Sequence, residues 1–413
     1  MTVRRSFTFY YVLAFASLPL LSVLVPKVMS FAPVLLGLIG TAYLLRAGAD
    51  KARFSKSYLV IACGIGALAC LSALWADSPG DTLEKGAITA LLVLSGAFPL
   101  FVAASLDTRE LKESAWLIPA LLFAAAGLAA LELALDLPFY RLIRGIEEGE
   151  RIKTAVINRG AVNIVLSLFC SLAVLHSLHR SGLQTSGFRL LSAILILCVA
   201  TMLLLSQAQT AQLIFVLGLL VYAFYPAGRL PKAIPLVFGG AACVLILSAP
   251  WLALWMYAHL AEGAQGFFWL KDGYAASRME IWDFTSRYAL EKPLTGHGLD
   301  ATRHVESFEH AHRFHREDGV LHPHNFAIQL WVDFGLMGVL PACAALYALF
   351  SKAGALLGAG GRAAMATLIT TLAVAAISYG LWQGHWIGVM IYLLSLCVLA
   401  SRMADLLHSD GQK

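Results

Sequence analysis

Charged side chains are scarce in this chain. Asp, Glu, Lys and Arg make up only 13% of its 413 residues, whereas hydrophobic types make up 59%. Soluble globular domains carry about 25% charged residues, so this composition excludes an ordinary soluble domain. The net charge of +5 is small for a chain of this length and indicates no nucleic-acid partner. Long apolar segments recur from end to end, which is typical of a polytopic membrane protein.

Cysteine is also infrequent, and its placement argues against cross-linking. All seven cysteines fall within apolar segments: Cys63, Cys70, Cys170, Cys198, Cys243, Cys343 and Cys397. Because a cysteine in an apolar segment packs as a small hydrophobic residue, we expect neither disulfides nor a cysteine-bound metal. The sequence also lacks a phosphate-binding glycine loop, a dinucleotide fingerprint and a Cys/His zinc pattern, so no cofactor is expected.

The apolar segments predict an all-α polytopic membrane protein of about twelve transmembrane helices. In lipid a chain must pair its own backbone groups, so each segment predicts a helix of about 20 residues. No small-residue cleavage site follows the first segment, and we expect that helix to be retained. The twelve predicted helices cover residues 9–25, 30–46, 57–75, 87–105, 114–135, 161–179, 189–206, 209–225, 233–252, 324–350, 363–382 and 385–404.

The basic residues of the short loops indicate an orientation. Lys and Arg cluster after predicted helices 2, 4, 6, 8 and 10, whereas the opposite short loops carry only Lys27 and Lys85. Because strongly basic short loops remain in the cytoplasm, the pattern places both termini there.

Two loops on the opposite, outer side are long, namely 136–160 and 253–323. The second is rich in aromatic residues, which argues against disorder and favours a structured, functional loop. We therefore divide the chain into helices 1–9 (residues 1–252), the long outer loop (253–323), and helices 10–12 with a cytoplasmic tail (324–413).

Arg278 is the first candidate for an anion-binding residue. Ser277-Arg278-Met279-Glu280 has the pattern of a capping box, with Ser277 as N-cap and Glu280 at the third helical position. A helix to about Leu290 would follow. Arg278 would then lie in its first turn, where free N–H groups and a guanidinium together suit an anion. The alternative is a surface arginine on an amphipathic helix.

Arg159 is the second candidate, because it lies at the outer mouth of predicted helix 6. An arginine at this depth either extends to the lipid headgroups or binds a lipid-linked phosphate. Arg151 and Lys153 precede it in the same loop and would assist.

Histidines cluster at the end of the long loop, and His324 is the candidate general base. It follows Pro323 at the predicted start of helix 10, which gives it a fixed position, and imidazole titrates near neutral pH. His322 precedes Pro323 in the predicted loop, where we expect its position to be less firmly fixed. His310, His312 and His315 have spacings that would permit a metal, but no His-Glu-x-x-His pattern supports one, so we expect no functional metal.

Polar residues also recur along predicted helix 10. Asn325, Gln329 and Asp333 are four apart, so they should share a face turned toward protein or a wet cavity. Packing between helices is the alternative explanation, as it is for Gly335 and Gly338. Further polar residues fall at outer turns: Ser206, Gln207, Gln209 and Gln212 between helices 7 and 8, and Gln383 and His385 between helices 11 and 12.

The order and placement of these residues resemble the O-antigen ligase and polymerase superfamily. The motifs lie within about 277–338, and the helix layout extends the resemblance over most of the chain. The motifs are Ser277-Arg278-x-x-Ile281-Trp282, Pro293-Leu294-Thr295-Gly296-His297-Gly298, His324-Asn325-Phe326 with Gln329, and Gly335-Leu336-Met337-Gly338.

The resemblance implies an inverting, metal-independent glycosyltransferase of the C-type helical fold in the bacterial inner membrane, with its site facing the periplasm. Its donor would be a glycan on undecaprenyl pyrophosphate, and in ligases the acceptor is a sugar hydroxyl of lipid A-core. His324 would deprotonate that hydroxyl, and Arg278 would hold the leaving pyrophosphate, which fixed cations can stabilise.

This sequence departs from the family pattern at one position. Many relatives carry an arginine before helix 8, where this chain has Ser206-Gln207-Ala208-Gln209-Thr210. Arg159 is therefore expected to supply the second phosphate-binding cation, with Arg151 and Lys153 near it. The supporting residues would be Asn325, Gln329, Gln209 and His322.

Other functions stay open at this level. A polymerase of the same superfamily is the nearest, although polymerases often have two sizeable basic outer loops and the first here has only 25 residues (136–160). A transporter would predict internal repeats and charges buried in mid-helix, whereas no repeats are found and the notable charged residues lie at the outer helix ends. A non-catalytic assembly subunit is the remaining alternative.

Overall fold

The computed structural model describes residues 6–147, 150, 152–180, 185–228, 233–305, 313–315 and 320–410. Regular structure in these residues is entirely helical. The α-helices are α1 Phe7–Ala16, α2 Leu18–Leu24, α3 Ala32–Arg46, α4 Lys56–Leu71, α5 Pro79–Ser95, α6 Ala97–Ser105, α7 Thr108–Ser114, α8 Leu117–Ala134, α9 Pro138–Arg144, α10 Asn158–Arg180, α11 Thr185–Leu205, α12 Gln209–Phe224, α13 Ala233–Leu247, α14 Ala249–Gly266, α15 Phe268–Asp272, α16 Ala275–Glu291, α17 Phe326–Ala355, α18 Gly358–Ile377 and α19 Gly384–Asp410. Short 3-10 helices cover Pro26–Ser30, Lys51–Arg53, Ser72–Leu74, Thr154–Ile157 and Ala301–His304.

The helices confirm an all-α polytopic membrane protein. Within the described ranges, nine helical stretches are long and apolar enough to cross a membrane, or ten if the bent pair α13 and α14 counts as one span. Every predicted segment contains a helix, but α3 and α12 have only 15 and 16 residues. Helices of that length fall short of a hydrocarbon core of about 30 Å at about 1.5 Å per residue. The count of twelve spans therefore stays a prediction.

Predicted helix 9 has a bend that the sequence did not indicate. The chain turns by 69° between α13 and α14, with Pro250 in the first turn of α14. Proline suits that position because its missing N–H would be unpaired there in any case. The division at residue 252 falls inside α14, so the long outer loop begins as a helix.

α17 is also not continuous. Gly335 has φ 53° and ψ −148°, which interrupts the helix where we predicted an unbroken span. The motif beginning at Pro293 lies across the break: Leu336 N donates to Pro293 O (2.9 Å), and His297 N donates to Val332 O (2.8 Å). The backbone groups freed by the break thus find partners in protein, as they must at membrane depth.

α10 lies at the centre of the bundle. In its apolar stretch 89% of the residues are buried, compared with 22% in α4. Its first turn packs on the end of α2, where a side chain at Gly160 would come within 2.9 Å of the Val23 Cα. This close packing fixes Asn158 and Arg159 at one end of the bundle.

Candidate active site

His324 lies just outside α17 rather than in it. We expected it to open the helix, but the helix begins at Phe326 and Asn325 is its N-cap. The Asn325 Oδ1 accepts hydrogen bonds from Ala327 N (3.0 Å) and Ile328 N (3.2 Å). Asn325 is thus a capping residue that fixes the position of its neighbour, and His324 takes a left-handed conformation with φ 54°.

The ring of His324 is oriented by one carbonyl group. Its Nδ1 lies 2.7 Å from Ser378 O. Because a carbonyl oxygen can only accept, Nδ1 carries the proton and Nε2 has the lone pair. No hydrogen bond to Nε2 is formed by any residue that the structure describes. Burial lowers the pKa of His324, although the bond to Ser378 opposes that shift, so the ring is neutral at neutral pH.

Arg278 binds the adjacent carbonyl group. Its Nη1 donates to Ile377 O at 2.5 Å, and Ile377 is the last residue of α18, with Ser378 as its C-cap. Carbonyl groups at a helix C-terminus lack intrahelical partners and carry partial negative charge. Burial lowers the pKa of Arg278, but a guanidinium remains a cation at neutral pH. The end of α18 therefore brings the predicted base and the predicted cation together.

The capping box predicted around Arg278 is wrong. α16 begins at Ala275, and its N-cap is Tyr274, with φ 56°. The Oγ of Ser277 lies 3.3 Å from the Nδ1 of His315, and the carboxylate of Glu280 binds backbone groups outside the helix. Both side chains have tertiary partners that local spacing cannot reveal. Arg278 nevertheless stays in the first turns of the helix.

His322 is buried and held on two sides, which corrects the expectation of a looser position. Its Nδ1 accepts from His324 N (3.3 Å), so Nε2 carries the proton. The amide of Gln383 lies 2.7 Å from that Nε2, and its oxygen is the group that can accept this proton. A side chain at Gly380 would come within 2.8 Å of the ring. Burial lowers the pKa of His322 to about 3, so the ring is neutral.

Gln329 and Asp333 fasten the segment that joins α18 to α19. Gln329 Oε1 accepts from Leu381 N (2.7 Å), and Asp333 Oδ2 accepts from Trp382 Nε1 (2.6 Å). Asp333 Oδ1 also accepts from Ala301 N (3.3 Å). Both side chains thus point into protein, as their spacing predicted. They hold in place the segment whose carbonyl groups orient His324 and Arg278.

Gln209 and its neighbour Thr210 have different roles. Gln209 Nε2 donates to Trp269 O (3.0 Å), which ties the start of α12 to α15 and not to His324. The Oγ1 of Thr210 lies 2.8 Å from the Oγ of Ser378. Sequence reasoning missed both Thr210 and Ser378. The only available signal was their position beside polar outer turns.

The second predicted cation lies close to the same connecting segment. Arg159 is exposed in the first turn of α10. It lies close enough to Tyr379 and His385 to interact with both electrostatically. Tyr379 follows Ser378 directly, and its ring lies 5.6 Å from that of His385. Lys153 is exposed before the 3-10 helix Thr154–Ile157, whereas Arg151 lies outside the described residues.

The described residues contain no group of three or more His, Cys, Asp or Glu side chains arranged to hold a metal ion. His310 and His312 lie outside those residues. His315 contacts Ser277, as described above.

The fold and the site define a helical membrane protein in which an imidazole and a half-buried guanidinium are held by successive carbonyl groups at one end of the bundle. Residues 192–343, which include Arg278 and His324, match the model of the O-antigen ligase family. This match agrees with the resemblance inferred from the motifs: over these residues the chain is similar to the O-antigen ligase family.

Similar proteins include two from Rickettsia conorii and Rickettsia prowazekii, each named "Putative polysaccharide ligase". Each is 28% identical, over 132 and 130 residues respectively, which is 30% of this chain and 32% of the relative. The similarity thus spans about a third of the length of these relatives.

Proposed function

We propose that this protein is an O-antigen ligase of the bacterial inner membrane. It would transfer a glycan from undecaprenyl pyrophosphate to a sugar hydroxyl of lipid A-core, on the periplasmic side and with inversion. The observation that carries this proposal is the pair formed at the end of α18, where His324 presents the Nε2 lone pair and Arg278 lies on the neighbouring carbonyl. The family match and the polysaccharide ligases among its relatives support the same reaction class.

His324 is the general base in this scheme. Its Nε2 takes the proton of the acceptor hydroxyl while that oxygen attacks the anomeric carbon of the donor sugar. The bond between that carbon and the diphosphate oxygen breaks, and the electron pair leaves with the diphosphate. Ser378 O accepts from Nδ1–H (2.7 Å), so it fixes the productive tautomer and stabilises the imidazolium that forms.

Arg278 stabilises the departing diphosphate. One of its N–H groups is committed to Ile377 O, which leaves four donors and a fixed guanidinium plane for phosphate oxygens. A cation held in place before the reaction needs no reorganisation as negative charge develops. Arg159 would supply the second cation, with Lys153 and Arg151 assisting, in place of a metal ion.

The location of the site accords with the proposed orientation. Arg159, Arg278 and His324 all lie at helix ends that adjoin the predicted outer loops. With both termini in the cytoplasm, these helix ends face the periplasm. A donor embedded in the membrane would reach Arg278 from the lipid, and the core sugars of the acceptor, whose lipid A also lies in the membrane, would reach His324 from the aqueous side.

The test is a transfer assay with purified protein. Wild type is incubated in EDTA with lipid A-core and an undecaprenyl-pyrophosphate glycan, and the products are separated on a gel. We expect glycan-extended lipopolysaccharide. Extension of the donor glycan without transfer to lipid A-core would favour the polymerase alternative, and no turnover with any acceptor would contradict the proposal.

Arg278→Ala tests the assigned cation. We expect kcat to fall about 10²- to 10³-fold, the loss typical of removing one preorganised charge stabiliser. Arg189→Ala removes an exposed arginine at the opposite end of the bundle and should leave the rate unchanged. Equal rates for wild type and Arg278→Ala would exclude the assigned role.

A further inference from the structure

Glu280 is a buried carboxylate with an unusual set of donors. It lies on α16 two residues after Arg278 and is only 3% exposed. Its oxygens accept from the backbone N–H groups of Arg313 (2.6 Å), Phe314 (2.7 Å) and His315 (2.6 Å). Successive N–H groups that converge in this way form an anion-binding nest, occupied here by a side chain of the same protein.

These contacts fix residues 313–315, which we call the strap, to α16. The hydroxyl of Tyr257 on α14 donates to the same carboxylate at 3.3 Å. Hydrogen bonds to an ionised acceptor are roughly twice as strong as neutral ones. A buried carboxylate without such donors would be costly, so the strap and Glu280 stabilise each other.

The strap lies beside the proposed base. The Nδ1 of His315 is 3.3 Å from the Oγ of Ser277, one residue before Arg278, and the His315 ring lies close enough to His324 for an electrostatic interaction. The Phe314 ring is half-buried, and the guanidinium of Arg313 lies over it at 5.2 Å. The strap therefore offers an imidazole, an aromatic face and a guanidinium close to the site.

We propose that Glu280 is a positioning residue and that the strap it holds forms the wall against which the acceptor glycan binds. This inference rests on the proposed function. The strap belongs to the predicted long outer loop, which the proposed orientation places on the aqueous side, whereas the diphosphate of the donor is expected at Arg278 near membrane depth. Sugar rings combine apolar faces with hydroxyl groups, which suit an aromatic ring flanked by donors.

Glu280→Gln tests this inference, because the amide keeps the volume but turns an NH2 group toward N–H donors. Hydrogen exchange followed by mass spectrometry should show faster exchange in peptides covering 313–315. The KM for lipid A-core should rise about tenfold with kcat within about twofold, and the KM for the undecaprenyl-pyrophosphate glycan should not change. Glu113→Gln removes a carboxylate from an exposed pair with Arg109 on α7 (3.3 Å), outside the strap, and should match wild type in all three measurements.

Phe314→Ala provides a second variant that leaves the backbone donors to Glu280 intact. It should raise the acceptor KM with exchange at 313–315 close to that of wild type. An unchanged acceptor KM in both variants, or a change confined to the donor KM, would overturn the inference while an active wild type upholds the proposed function. An inactive wild type would overturn both.

Discussion

The conformation of His324 is maintained against a local backbone cost. A residue other than glycine with φ near 54° is strained by about 1–3 kcal/mol. The Asn325 cap on one side and the Ser378 carbonyl on the other hold it there. The sequence predicted a base at the start of helix 10, but not its tautomer, because Ser378 is 54 residues away and no local pattern pairs the two.

The pH dependence of the reaction should report the environment of His324. Because burial lowers its pKa below the ordinary value of 6.5, Nε2 stays unprotonated to lower pH than in water. Activity requires the unprotonated form, so the acid limb of kcat/KM should have its midpoint below pH 6.5. Initial rates between pH 5 and 8 measure this. A midpoint above 6.5 would contradict a neutral, half-buried base.

Gly380→Ala should disturb the site through His322. The added Cβ would come within 2.8 Å of the His322 ring, so that ring must move. Its Nδ1, which accepts from His324 N, would move with it. We expect at least a tenfold loss of kcat and a cost of about 1–3 kcal/mol from overpacking. Gly240→Ala is the matched control for rate and thermal unfolding, because a Cβ added there would meet no atom outside its own helix within 4 Å. Wild-type activity in Gly380→Ala would show that the position of His322 is unimportant.

Among the elements, the end of α18 and the segment that follows it do the most to assemble the site. Ile377 and Ser378 provide the two carbonyl groups, and Gln329 and Asp333 of α17 fasten the rest of the segment. The four-residue spacing on helix 10 predicted correctly that these two side chains face protein. The same spacing could not show that Asn325 is a cap, because that depends on where the helix begins.

The break in α17 should be sensitive to the residue at its centre. Gly335 has φ 53°, and an added Cβ would lie 2.6 Å from Pro293 O. Gly335→Ala is therefore expected to lower the free energy of unfolding by about 1–3 kcal/mol. A Cβ added at Gly127 in α8 would meet no atom outside its own helix within 4 Å. Gly127→Ala should therefore leave the free energy of unfolding unchanged or raise it slightly. Thermal unfolding in detergent compares the two, and equal melting temperatures would contradict a strained break.

At the scale of the whole molecule, hydropathy alone located a helix in each of the twelve segments, because lipid permits little else. It did not give the 69° bend after α13 or the break at Gly335, since both depend on tertiary packing. The site residues were recognisable singly by type and position. Their convergence on two successive carbonyl groups was not predictable, because Arg278 and Ile377 are 99 residues apart.

The measurement that tests the central claim most directly is the single-turnover rate of glycan transfer by His324→Ala, with donor and acceptor saturating. The account predicts a rate about 10²- to 10⁴-fold below that of wild type, with donor affinity and melting temperature unchanged, because only the proton acceptor is lost. A rate within tenfold of wild type in a folded, donor-binding variant would show that His324 is not the base.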